Sequence, residues 1–210
     1  MKKTVYLLTS VIAVLVIIAG VILLTKSNTI EDNALTKTYQ TKEMMGDYHS
    51  WDNIDVLINN SDLILIGEVK GDFADAEQTI NYGEFPDGEK YPRDYYTTRE
   101  VKVHKWIKGH EEHITLAEPA ALIKDKGSQM LIIYENYPIA KNGVKYLFFL
   151  IKGNHSGNYY SNGLIQGKIN LEEKSMDEDE KQLDERLPGL SKLKSDALIR
   201  YENEIAEIIN

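Results

Sequence analysis

Apolar positions along the chain fall into three regimes. The first is an uncharged run from Val5 to Leu24, broken only by Thr9, Ser10 and Gly20 and preceded by Lys2 and Lys3. These 20 residues, at about 1.5 Å each, make roughly 30 Å of helix, the thickness of a bilayer hydrocarbon core. No Ala-x-Ala site stands near the end of the run, so residues 1–26 read as an uncleaved signal-anchor, with secretion after signal cleavage as the alternative. Lys2 and Lys3 before the helix, against Glu31 and Asp32 soon after it, place the N-terminus in the cytoplasm and the rest outside.

The second regime is strand-like. Residues 27–50 are polar and read as a tether, with at most a short helix over Thr41–Tyr48. Ile54, Leu57 and Ile58 at helical spacing predict a helix ending at Asn59-Asn60. Leu63–Val69 is short, β-branched and nearly continuous, the pattern of a strand buried on both faces. Residues 71–94 read as a long loop around the turn Pro86-Asp87-Gly88. Strands are expected at Tyr95–Trp106 and Ile114–Ala117. A hairpin is expected between Met130–Tyr134 and Val144–Ile151 through Asn142-Gly143, with one or two last strands in Tyr159–Leu171.

The third regime, residues 172–210, opens on the acidic stretch Glu172–Glu185 and breaks at Pro188-Gly189. Leu190, Leu193, Ala197, Tyr201, Ile205 and Ile208 then recur at helical steps, an amphipathic helix expected to cover an open end of the adjoining sheet. The fold class expected is mainly β with flanking α: an N-terminal transmembrane helix, a small OB-like β-barrel over residues 51–171, and a C-terminal amphipathic helix.

Charge narrows the function. The chain carries −9 overall; residues 1–26 hold three lysines and no acid, so the remainder has 21 basic and 33 acidic side chains, a net −12. A nucleic-acid partner is therefore not expected, and anionic surfaces would repel the domain. With no Cys there are no disulfides, thiolate metal sites or thiol nucleophiles.

Three fragments resemble a known family. Ser61–Val69, Glu100–Gly109 with its closing Lys-Gly, and Gly143–Leu150 with its Tyr-Leu are similar in order and character to strands of netrin-module proteins, which include the tissue inhibitors of metalloproteinases. Bacterial exported proteins of unassigned role carry the same three-part pattern, and the resemblance to them is closer. It spans roughly residues 51–170 and implies an OB-like five-stranded barrel with a packed helix. The inhibitors' zinc-chelating N-terminal Cys has no counterpart here, so their mechanism does not carry over.

Candidate chemistry is sparse. His110-Glu111-Glu112-His113 could contribute to a metal site, but the histidines are three apart after Lys108-Gly109, a spacing that a solvated turn also explains. Asp177–Glu180 lacks the glycine of a calcium loop. No nucleophile elbow or phosphate loop occurs. Asn59-Asn60-Ser61 and Asn154-His155-Ser156 have the form of glycosylation sequons. Of 13 tyrosines, Tyr95, Tyr96, Tyr134, Tyr159 and Tyr160 are the candidate ligand-binding residues, since aromatic faces on such a barrel hold sugars or peptides by stacking. Cross-strand packing is the structural alternative.

The expected protein is thus a single-pass membrane protein, anchored through Val5 to Leu24, whose extracytoplasmic barrel binds an envelope protein or glycan without catalysis or cofactor. A metal-dependent hydrolase using His104, His110, His113 or His155, and a purely structural scaffold, are the competing readings.

Overall fold

The computed structural model describes residues 39–45, 49–125, 128–135, 137–154, 157–172 and 189–209. The apolar run 5–24, the acidic run 177–180 and His155 lie outside them. Among the described residues no helix is long and apolar enough to cross a membrane.

The architecture is mainly β, organised by a closed five-stranded barrel. Its strands are β2 (Leu63–Val69), β4 (Lys90–Lys108), β5 (Thr115–Glu118), β8 (Lys145–Lys152) and β9 (Tyr159–Ser161). Around the wall the order is β8-β2-β4-β5-β9, closing through the β8–β9 pair; β10 (Lys168–Asn170) shares that edge of β8. All barrel pairs are antiparallel except β5–β9. Successive residues of a strand face opposite sides, and the burial follows that alternation. Leu63, Leu65, Tyr146, Phe148 and Leu150 fill the interior. Ile64, Ile66, Leu147 and Phe149 face outward and are covered by helices. The double-sided burial expected of Leu63–Val69 is met for this reason.

Three helices supply the cover. The first, α1 (Ile54–Asn59), is capped by the Asn53 side chain, which accepts from Val56 N, and buries Ile54 and Leu57. Lys108 Nζ donates to Ile58 O at 2.8 Å, placing a cation at the C-terminus of α1, where the helix dipole favours one. The expected C-terminal helix forms as two, α2 (Leu190–Arg200) and α3 (Glu202–Ile209), meeting at Tyr201. Leu193, Ala197 and Tyr201 pack on the outer barrel face rather than over an open sheet end.

Three expectations are corrected. Residues 71–94 are not a long loop: a short 3-10 turn at Phe73–Asp75 leads into β3 (Glu77–Glu84), which pairs with the first half of β4 around Phe85–Glu89. β3 holds few apolar residues and is at most half-buried, so no apolar alternation marks it in the sequence. The hairpin between residues 130–134 and 144–151 does not form. β7 (Ser128–Tyr134) pairs instead with β6 (Ala120–Asp125), while β8 joins β2. Tyr137 and Ala140 in the connecting segment are buried, so that segment is packed structure rather than a tight turn. Finally, Thr41–Tyr48 does not open a helix: β1 (Gln40–Met44) lies parallel to β7, extending the β6–β7 sheet. Its first four side chains are exposed, so its only signal is the backbone.

Candidate functional site: a tyrosine-lined cleft

Where the β3–β4 ribbon leaves the barrel it forms one wall of an open cleft of about 620 Å³. Asn81 comes from β3, and Arg93, Asp94, Tyr95 and Tyr96 from β4. Pro119 and Tyr134 come from the β6–β7 side, and Gly153, Asn154 and Tyr160 from the β8–β9 corner. Four of the five tyrosines singled out in the sequence, Tyr95, Tyr96, Tyr134 and Tyr160, thus meet in one place although 65 residues separate the first from the last.

The cleft mixes tyrosine and proline side chains with paired polar groups. Arg93 Nε lies 3.1 Å from Asp94 Oδ2 at an exposed position, so the pair contributes little to stability but offers adjoining donors and an acceptor. Tyr95 packs against Ala121, Ile123 and Ile132. Its buried hydroxyl has no hydrogen-bond partner among the described residues. Burial first, and then the neighbouring Tyr134, push that hydroxyl's pKa up to about 12.

Tyr159 is not part of the cleft. It is buried in the barrel core, its hydroxyl donates to Glu111 Oε1 at 2.6 Å, and Lys152 Nζ stands 5.4 Å from its ring centre. Burial and then the bond to Glu111 raise its pKa. Lys152 and Tyr159 together hold the Glu111 carboxyl below its usual range.

Two of the described candidate histidines have defined neighbours: His110 makes a tilted ring contact with Trp106, centroids 4.7 Å apart, and His104 Nε2 lies 3.2 Å from Glu68 Oε2. Among the described residues no group of three His, Asp or Glu side chains could hold a metal ion.

Behind the cleft floor lies a cluster that sequence reasoning missed. Arg99, Glu118 and Lys168 point into one end of the barrel. Arg99 stands two residues before the interior Val101, Glu118 two after the interior Leu116, and Lys168 opposite the interior Phe148. Glu118 accepts from Arg99 Nη2, from Lys168 Nζ at 2.8 Å and from Ala140 N at 2.9 Å. Arg99 also donates to Ala140 O at 2.6 Å, and Lys168 to Pro138 O. Lys168 Nζ sits 4.0 Å from the centre of the buried Tyr137 ring. Burial and Glu118 both raise the Tyr137 pKa well above its ordinary value.

This cluster sets the cleft floor. Glu118 is bonded to Pro119, and Pro119 O accepts from Tyr134 N at 3.0 Å. Tyr134 O in turn accepts from Tyr137 N at 2.8 Å. A strand-parity reading of Arg99, Glu118 and Lys168 would have placed all three inward. The polar character of these residues argued the other way.

No family model matches the chain, and no curated protein matches it closely enough to count as a relative.

Proposed function

We propose that this protein is a membrane-anchored, extracytoplasmic binding module that takes its ligand in the tyrosine-lined cleft and performs no catalysis on it. The observation that carries this reading is the convergence of Tyr95, Tyr96, Tyr134 and Tyr160 from three separate parts of the fold on one open cleft. Packing alone does not require four tyrosines from separate strands to line the same open space. The 20-residue uncharged run from Val5 to Leu24 supports the anchor, and the lysines before it support an outward domain.

An OB-like barrel is the finer fold reading. Numbered in chain order, the five barrel strands run one-two-three-five-four around the wall, a Greek-key arrangement, with the third and fifth parallel. The connection between the third and fourth strands carries the β6–β7 hairpin, which builds one side of the cleft.

The test is retention of envelope components on the immobilised full-length chain, with metal content measured on the same preparation. A species held by the wild type and released by the double variant Tyr96→Ala/Tyr160→Ala supports the reading. Equal retention by both chains overturns it, as does one zinc per chain that is lost on replacing His110 and His113.

A further inference from the structure

The cleft's chemistry points to one class of ligand. We propose that it binds a neutral oligosaccharide, a chain of uncharged pyranose rings lying along Tyr96, Tyr134 and Tyr160. This rests on the cleft being the ligand site, and it commits to what occupies it.

Charge removes the first alternatives. The chain beyond residue 26 carries −12, and the single arginine of the cleft is already paired with Asp94. A polyanionic glycan or a nucleic acid would meet a repulsive field with no free cationic stripe to offset it. A cationic ligand would be drawn by the general field, but Asp94 is the cleft's one carboxylate and Arg93 holds it.

The form of the surface separates sugar from peptide. An apolar side chain of a peptide gains most in a closed socket that removes it from water on all sides. This cleft is open, and four tyrosines and Pro119 are among the residues that line it. The C–H face of a pyranose covers an aromatic plane without needing enclosure. Each pyranose also projects hydroxyls that both donate and accept. Around the rings stand groups of both kinds: the carboxamides of Asn81 and Asn154, the Asp94 carboxylate and the Arg93 guanidinium. Binding on half-buried rings gives modest affinity per ring, so an oligomer spanning several tyrosines is required rather than a monosaccharide.

The experiment titrates the full-length chain, in lipid nanodiscs and with ring-labelled tyrosine, with three uncharged probes. These are chitohexaose, cellohexaose and a library of blocked hexapeptides without ionisable side chains, followed by tyrosine NMR and calorimetry. The expected result is saturable binding of at least one hexasaccharide that shifts Tyr96, Tyr134 and Tyr160 and leaves Tyr159 and Tyr201 in place. Tyr96→Ala and Tyr160→Ala each weaken it at least fivefold, whereas Tyr96→Phe, which keeps the ring, stays within about twofold of wild type. Unchanged β-sheet circular dichroism in the alanine variants guards against loss of fold. Saccharide binding that persists in the alanine variants overturns the assignment. Peptide binding that these tyrosines control, with no saccharide binding, overturns the glycan class and leaves the cleft as the ligand site. No shift with any probe overturns both.

Discussion

Lys168 Nζ lies 2.8 Å from Glu118 Oε1 inside the barrel, with the two side chains 2% and 0% exposed. With Arg99 on the other carboxylate oxygen, two cations share one buried anion. Removing the anion strands both. Glu118→Ala is therefore expected to cost about 3–5 kcal/mol of stability, read by urea unfolding at neutral pH. Because Glu118 also fixes Pro119 and thence Tyr134, the same variant should disturb the Tyr134 environment in the residual folded population.

The pH dependence of that contribution has a definite sign. Burial alone would raise the Glu118 pKa, but Lys168 and then Arg99 outweigh it and hold the group at about 2. Its unfolded value is near 4.5. The depressed folded pKa gives stability that is complete above about 4.5 and is lost as pH falls toward 2. Wild type should lose this advantage over Glu118→Gln between about pH 5 and pH 2, and acid titrations of the two chains measure the convergence.

Lys168 behaves oppositely. Burial lowers its pKa to about 8, against 10.5 in the unfolded chain, although Glu118 pulls the other way. Between those values the unfolded chain binds more protons, so this group makes stability rise with pH, by up to about 1.4 kcal/mol per unit. Unfolding free energies from about pH 8 to pH 10, compared with Lys168→Met, isolate the effect. Wild type should show the added upward slope and the methionine variant should lack it.

Gly167 sits where no side chain fits. A Cβ there would stand 2.3 Å from Asn162 O and 2.7 Å from Phe149 O, both backbone atoms. Asn162 is itself a buried junction, accepting from Trp51 Nε1 at 2.9 Å and donating to Asn60 O and Ser61 Oγ. Gly167→Ala should cost about 1–3 kcal/mol or more, with the Trp51 fluorescence changing in the folded state because its anchor moves.

Strand β1 pairs with β7 through backbone while four of its five side chains face water. Deleting residues 39–45 should leave the barrel cooperative and its core amides protected. Amides of Leu131 and Ile133, whose N–H groups face β1, should exchange faster by at least tenfold, whereas Tyr134, whose N–H donates to Pro119 O, should keep its protection. Hydrogen exchange followed by residue gives the comparison.

These features were unequally legible. Leu63–Val69 and the stripe Leu190–Tyr201 declare themselves because both spend apolar residues on burial, one on two faces and one on a single face. β3 and β1 do not, because backbone pairing with little burial leaves their composition polar. The partner of β7 is hidden for a related reason: Asn142-Gly143 is good turn chemistry, yet Asn142 bridges to Val69 and no hairpin forms there. Four cleft tyrosines were reachable from residue type alone. Tyr159, on the neighbouring residue of the same strand, belongs to the core, because successive residues of a strand face opposite sides.

The most direct test of the binding account is tyrosine labelling with a membrane-impermeant reagent, on the protein in intact envelopes and on the purified full-length chain. Tyr82, 52% exposed on the β3–β4 ribbon and outside the cleft, is the internal reference. The account predicts that Tyr82 labels equally in both settings, showing an outward domain, while Tyr96 and Tyr160 are protected in the envelope and labelled once purified. Tyr82 labelled only after lysis, or Tyr96 and Tyr160 labelled equally in both, would contradict it.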